Sequence, residues 1–155
     1  MLRRTYEQEH CSIAASLEIL GDRWTLLILR EACRGATRFA DFQSRLGLAR
    51  TVLSERLSRL TADGLFDRRR YQDQPERFEY VLTQQGRDVW PILNALMVWG
   101  DRHVMAGNPP YLILHRDCGG HIDDRRRCEA CGREVDVTDV RRVPGPGAPV
   151  PPAAG

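Results

Sequence analysis

The chain of 155 residues contains no lysine, so all 23 of its basic side chains are arginine. We read that as a bias of GC-rich codons, so the abundance of arginine carries no argument and only its position does. No apolar stretch approaches the ~20 residues needed to cross a bilayer. The first nine residues, Met1 to Glu9, are too charged for a secretory signal. A cytoplasmic protein with no membrane partner is therefore expected, with its five cysteines mostly reduced. There is also no phosphate-cradling glycine loop, no nucleophile elbow and no histidine with an obvious carboxylate partner, which argues against an enzyme.

The formal net charge is only +2, and its distribution says more than its size. Residues 1–33 carry −1, residues 34–87 carry +4 and residues 88–155 carry −1. The positive excess lies in one segment, as attraction to a phosphate backbone requires.

That segment has a readable pattern between Thr37 and Leu82. Phe39, Phe42 and Leu46 recur at i, i+3 and i+7, and Leu53, Leu57 and Leu60 at i, i+4 and i+7. Each set makes one apolar stripe on a short helix, and two such helices pack stripe to stripe. Gly47 and Gly64 are placed to end them in a left-handed conformation. After Gly64 the period changes to two: Phe78, Tyr80 and Leu82 alternate with Arg77, Glu79 and Val81, and Asp67 to Tyr71 forms an earlier extended stretch. Gln72 to Glu76 are turn and loop formers. Helix, turn, helix and hairpin make a winged helix-turn-helix, whose expected partner is double-stranded DNA.

With its leucines turned inward, the second helix shows Arg50, Thr51, Ser54, Glu55 and Ser58 to solvent. Arginine can reach guanine O6 and N7 with two hydrogen bonds, serine and threonine bond base edges or phosphates, and glutamate accepts from cytosine N4. The ordinary alternative is a solvated helix face. Arg38 and Arg77 complete the expected DNA-binding set, at the entry to the motif and in the wing.

Two helices precede the motif. Ser12 is the expected N-cap of the first, with Ile13, Leu17 and Leu20 as its stripe and Gly21 at its end; Asp22 caps the second, from Arg23 to Ala32. Trp24 and Leu26 to Leu29 are apolar on nearly all sides, so this second helix is expected at the buried centre. After the wing, Thr83 caps a long helix running toward His103, with a kink or restart at Pro91. Its Val89, Ile92, Leu93, Leu96, Val98 and Trp99 give it more apolar surface than one small domain needs.

Cys11, the run Gly21 to Arg30, the Arg38-Phe39 entry, Leu53 to Leu57, Tyr80 to Thr83 and Trp99 to Arg102 together resemble the HxlR-type winged-helix transcriptional regulators of bacteria. The resemblance covers roughly residues 6–103. It implies a homodimer held by the first and last helices, bound to a palindromic operator with half-sites one or more turns of ~10 bp apart. It also implies regulation of transcription, with repression the expected sign and a small-molecule effector left open. Several members of that family sense oxidants or electrophiles with a cysteine at the place of Cys11. A thiol ahead of a helix feels the positive end of its dipole, and Arg3, Arg4 and His10 would depress its pKa further while Glu7 and Glu9 oppose them. Cys33 reads as a small core residue.

Beyond Asn108 and the Pro109-Pro110 break the composition changes. Tyr111 to Leu114 reads as a short strand, followed by His115-x2-Cys118 and Cys128-x2-Cys131-Gly132. Paired donors at this spacing form knuckles around a tetrahedral zinc ion. His121 is the substitute for His115, and a degenerate knuckle that binds nothing is the alternative. A bound ion would be structural, since so short a segment lacks a core of its own. Arg125, Arg126 and Arg127 read either as a phosphate contact or, beside Asp123 and Asp124, as a solvated turn.

The expected fold is mainly α (α+β): a winged helix-turn-helix with a two-stranded wing and flanking dimerisation helices in residues 1–107, a zinc-ribbon-like appendage in 108–143 and a disordered tail in 144–155. The expected function is dimeric, sequence-specific transcriptional regulation, answering to an oxidant or electrophile through Cys11. A metal-sensing or protein-interaction module on a winged-helix scaffold is the alternative from another class.

Overall fold

The computed structural model describes residues 10–149. Arg3, Arg4, Glu7 and Glu9, invoked above around Cys11, lie outside the described residues, as do residues 150–155 of the tail. The chain divides into two compact units between Val89 and Trp90.

The first unit begins with helices α1 (Ser12–Leu20) and α2 (Arg23–Cys33). The N-cap of α1 is Cys11, not Ser12, which is already helical and accepts at its carbonyl from the Ser16 hydroxyl at 2.8 Å. Asp22 caps α2 as expected, its carboxylate accepting from the Trp24 N–H at 3.0 Å. Only one face of α2 is fully buried, at Thr25, Ile28, Leu29 and Glu31; Trp24, Leu26 and Leu27 are half-buried. The helix is thus central on one side rather than all round.

Helices α3 (Phe39–Leu46) and α4 (Arg50–Ala62) follow, with Gly47 between them at φ 64°. Phe42, Leu53, Leu57 and Leu60 are buried, joined by Ile28, Leu29, Leu65 and Phe66, so the two predicted stripes share one core. The wing is an antiparallel pair, β1 (Phe66–Gln72) with β2 (Arg77–Leu82), in register from Phe66 opposite Leu82 to Arg70 opposite Phe78, with a one-residue shift before Gln72 meets Arg77. It is tied to the entry of α3: the Tyr80 N–H donates to Thr37 O at 2.7 Å, and the backbone of Arg38 pairs with that of Glu79 as an isolated antiparallel β-bridge. Phe66 stacks edge-on against Phe42 and Tyr80, which seats the wing on the helical core.

Glu31 is nearly enclosed, and three arginines meet its carboxylate: Arg30 and Arg34 at 2.9 Å and Arg45 of α3 at 3.6 Å. A buried carboxylate without such partners would carry a large desolvation cost.

The expected long helix is two helices. Thr83 does cap the first, its hydroxyl accepting from the Gly86 N–H at 3.1 Å, but α5 ends at once (Gln84–Arg87) and α6 (Trp90–His103) restarts. Pro91 explains this, because it has no N–H to continue the ladder and is tolerated only in a first turn, where it now lies.

The second unit runs from α6 through β3 (Tyr111–His115), a 3-10 turn (Val137–Asp139) and β4 (Val140–Pro144), with β3 and β4 antiparallel. The expectation that the chain is disordered from Pro144 onward is corrected for residues 144–149. Pro144 pairs with Tyr111, and the N–H groups of Gly145 and Gly147 donate to Pro110 O at 2.9 Å and Pro109 O at 3.0 Å. The two alternate glycines let the backbones approach where a Cβ would strike Pro109 and Asn108 carbonyls. The apolar core of this unit joins α6 to the cysteine segment: Trp90, Ile122, Cys128, Val135 and Val140, with Leu93, Ile113 and Val137 packed against it.

Candidate functional sites

Helix α4 has the two-faced character its sequence requires. Leu53, Leu57 and Leu60 are inside, while Arg50, Thr51, Ser54, Glu55 and Ser58 are all exposed along the opposite side. Arg38 and Arg77 are exposed as well. Ala49, at the N-cap of α4, makes no side-chain cap, so the first-turn N–H groups receive nothing from it. The guanidinium of Arg50 lies over the Phe39 ring at 5.2 Å and that of Arg38 over Tyr71 at 4.7 Å, each carried by an aromatic face instead of a carboxylate.

The wing sorts its own arginines. Arg69 pairs with Asp67 at 3.2 Å, and Arg70 with Asp73 and Glu76 at 3.2 and 3.1 Å. Arg68 instead stacks over Phe78 at 3.5 Å, which leaves its charge uncancelled by those carboxylates. Like Arg38 and Arg50 it is an exposed arginine carried by an aromatic face, and the sequence reading did not single it out. The signal was the aromatic residue opposite: Arg68 shares a face with Phe78 and Tyr80 across the hairpin.

Two further arginines on α4 do structural work. Arg56 pairs with Asp22 at 3.1 Å, and Arg59 donates to Glu18 O at 2.6 Å, so α4 is fastened to the α1–α2 elbow.

Cys11 is exposed at the start of α1. The N–H groups of Ala14 and Ile13 hold its thiol below the ordinary value of 9.0. No full cap hydrogen bond reaches the sulfur, so the effect is that of first-turn dipoles acting at short range. Cys33 is half-buried at the end of α2.

The C-terminal donors converge. Ligand atoms of His115, Cys118, Cys128 and Cys131 all lie within 4.8 Å of one another. His115 Nδ1 is 3.2 Å from Cys118 Sγ and 3.3 Å from Cys131 Sγ, and the Cys118 and Cys128 sulfurs are 3.3 Å apart. A zinc tetrahedron with three sulfurs and one nitrogen has edges of about 3.5–3.8 Å, so these three contacts lie within a few tenths of an ångström of that geometry. His121 is exposed and outside this set.

Both halves of the cluster are the same turn. The Gly119 N–H donates to His115 O at 2.9 Å with φ 74°, and the Gly132 N–H to Cys128 O at 2.8 Å with φ 72°. Each x2 spacing is thus closed by a glycine in the left-handed region, which aims its two donors inward. Behind them, a Cβ on Gly120 would sit 2.5 Å from the Cys128 sulfur, so only glycine leaves room. His115 is buried, and its Nε2 faces Asp117 Oδ2 at 3.7 Å, a carboxylate itself held by Arg133 at 3.1 Å. A carboxylate behind the outer nitrogen is the usual way to orient a ligating imidazole.

Burial acts to raise the Cys128 thiol but is outweighed by hydrogen bonds from the Cys131 backbone, Cys118 and the Ala130 backbone, which bring it down to about 6. At Cys118 the Gly120 N–H lowers the thiol, yet Cys128, burial and Cys131 raise it on balance. These four residues can hold a metal ion.

Arg125 to Arg127 form the solvated turn. The Arg125 and Arg127 N–H groups donate to Asp123 Oδ1 at 2.9 and 2.7 Å, and Arg126 pairs with Glu134. Among the described residues no helix is long and apolar enough to cross a membrane.

The HxlR-like helix-turn-helix family model matches residues 19–108. An uncharacterized HTH-type transcriptional regulator of Mycobacterium tuberculosis is 46% identical over 137 residues, covering 88% of this chain and 87% of that protein. Among solved structures, PA1607 matches with a TM-score of 0.70 and 33% identity, over 88% of this chain and 96% of that one. The redox regulator HypR in its reduced form matches with a TM-score of 0.56 and 28% identity, over 63% of this chain and 99% of its own. With the two-faced α4, the wing seated behind it and these relatives, the chain belongs to the HxlR-like helix-turn-helix family and is a DNA-binding transcriptional regulator, not an enzyme.

Proposed function

We propose that the protein acts as a homodimeric repressor that reads a palindromic operator with α4, holds a structural zinc ion in its C-terminal knuckle and responds to oxidants or electrophiles at Cys11. The observation that carries the DNA reading is the face of α4, where Arg50, Thr51, Ser54, Glu55 and Ser58 are exposed together opposite three buried leucines. Arg50 reads a base edge, and Arg38, Arg68 and Arg77 contact phosphates. Supporting the dimer, α1 exposes Ile13 and Leu17, and α6 exposes Ile92, Leu96 and Trp99, large apolar side chains at helical spacing that a second copy would cover.

The zinc reading rests on the Cys3His donor set, its spacing and the space left by Gly120. For Cys11, support comes from its exposure, its lowered pKa and the similarity to HypR, which is itself a redox regulator.

Gel-shift titration on operator and random DNA tests the base-reading role. Arg50→Ala weakens operator binding by about 1–3 kcal/mol and relaxes one position, whereas Arg77→Ala weakens both DNAs evenly. Equal losses on both DNAs for Arg50→Ala would remove Arg50 as a base reader. Diamide releases operator from the wild type and not from Cys11→Ser; identical release would remove the sensor.

A further inference from the structure

Helix α6 has two apolar faces with different surroundings. Trp90, Leu93 and Asn94, at i, i+3 and i+4, face the cysteine segment: Trp90 and Leu93 pack in one cluster with Ile122, Cys128, Val135 and Val140. Asn94, completely buried, donates from Nδ2 to Asp123 O at 2.8 Å. Asp123 in turn organises the loop that delivers Cys128, accepting at Oδ1 from the Arg125 and Arg127 N–H groups while its own N–H donates to Arg127 O at 3.0 Å. The other face, Ile92, Leu96 and Trp99 at i, i+4 and i+7, is exposed.

A helix of 14 residues such as α6 is marginal on its own in water, where isolated helices shorter than about 12–15 residues scarcely persist. What holds it is the packing of its inner face. One wall of that packing is Cys128, a candidate metal ligand that is itself buried. Without an ion, the β3–β4 pair, the Trp90–Ile122–Val135–Val140 cluster and a few backbone bonds of the loops would have to keep three thiols and an imidazole together against the chain entropy of the loops, about 1–2 kcal/mol per ordered residue.

We infer that occupancy of the His115–Cys118–Cys128–Cys131 site controls the order of α6, and through it the presentation of Ile92, Leu96 and Trp99 to a second copy of this chain. The metal is then a condition of assembly and of operator binding, acting through Cys128 on Trp90 and through the Asp123 loop on Asn94. The inference rests on the zinc and dimer readings above, and goes beyond them by making one depend on the other.

Hydrogen exchange followed by mass spectrometry on the full zinc-loaded chain tests it, with zinc content and sedimentation measured on the same samples. Chelation is expected to raise exchange in the α6 amides at least about tenfold while the amides of α2 and α4 stay protected, and to shift dimer to monomer. Added zinc restores both. Asn94→Leu, which leaves every ligand in place, retains zinc but shows faster α6 exchange than the wild type. If the chain holds about one zinc and its removal leaves α6 protection unchanged, the inference is overturned and the zinc reading stands. If the chain neither contains nor takes up zinc, both fall. If α6 loses protection while the dimer persists, the outer face of α6 is not the interface.

Discussion

In the N-terminal unit the largest fully buried side chains are Phe42, Phe66, Ile28, Leu29, Leu53, Leu57, Leu60 and Leu65; in the C-terminal unit they are His115, Val135, Asn94 and Cys128. The first set is entirely apolar and comes from helices α2, α3 and α4, strand β1 and the bend before it. In the second, two of the four are candidate metal ligands and a third is an amide bonded to the loop between them. The first unit is held mainly by apolar packing, whereas the second combines a smaller apolar cluster with four convergent donors that could hold a metal ion. The helix-turn-helix should therefore be indifferent to metal, whereas in the C-terminal unit an ion at the four donors would add to the smaller apolar cluster around Trp90 and Ile122.

The strongest way to break this contrast is in the apolar core. Phe42→Ala removes the ring that meets Phe66 edge-on and is expected to destabilise the N-terminal unit by about 3–5 kcal/mol in chemical denaturation, leaving metal content unchanged. A coincident loss of metal would mean the two units do not stabilise independently. A smaller and opposite effect is expected at Gly120, where the added Cβ of Gly120→Ala collides with the Cys128 sulfur and the Ala130 side chain. Metal affinity falls by about 10–100-fold, as when ligand-supporting groups are changed, while the denaturation midpoint of the N-terminal unit holds. Unaltered affinity would show that Gly120 is not part of the cradle.

The smallest effect sharpens a detail of the N-terminal unit. Because first-turn N–H groups favour the Cys11 thiolate, the pH midpoint of its alkylation should lie below 9.0 in the folded protein and return toward 9.0 in urea. The sign follows from the charge: an acid whose anion is stabilised by folding gives up its proton at lower pH. Peptide mapping isolates Cys11 from the other four thiols, and equal midpoints in both conditions would remove the helix-terminus effect.

How much was legible in the sequence differs between the same two units. Leucines at 53, 57 and 60 repeat with the helical period, so α4 and its exposed face follow from spacing alone. The knuckle was legible from its x2 spacings, and the choice of His115 over His121 was written there too, since Cys118-Gly119 mirrors Cys131-Gly132. Less legible were contacts between distant residues. Arg30 and Arg34 are near neighbours of Glu31 in the chain, but nothing local marks Arg45 as its third partner, or Arg56 as the partner of Asp22. Residues 144–149 were misread because Pro and Gly content resembles disorder, whereas Gly145 and Gly147 are spaced to let a strand edge close on Pro109 and Pro110. Ser12 was taken as a cap because serine is common there; the register of the helix put a cysteine in its place.

The carboxylate of Glu31 also bears on how salt titrations of this protein should be interpreted. Added ions weaken exposed charge pairs readily but reach an enclosed carboxylate much less, so with three arginines on Glu31 the tie from α2 to the exposed Arg45 on α3 should weaken less than an ordinary surface pair. The decline of operator affinity with salt then measures counterions released from the DNA, about one per phosphate contacted, rather than a loosening of the reader itself.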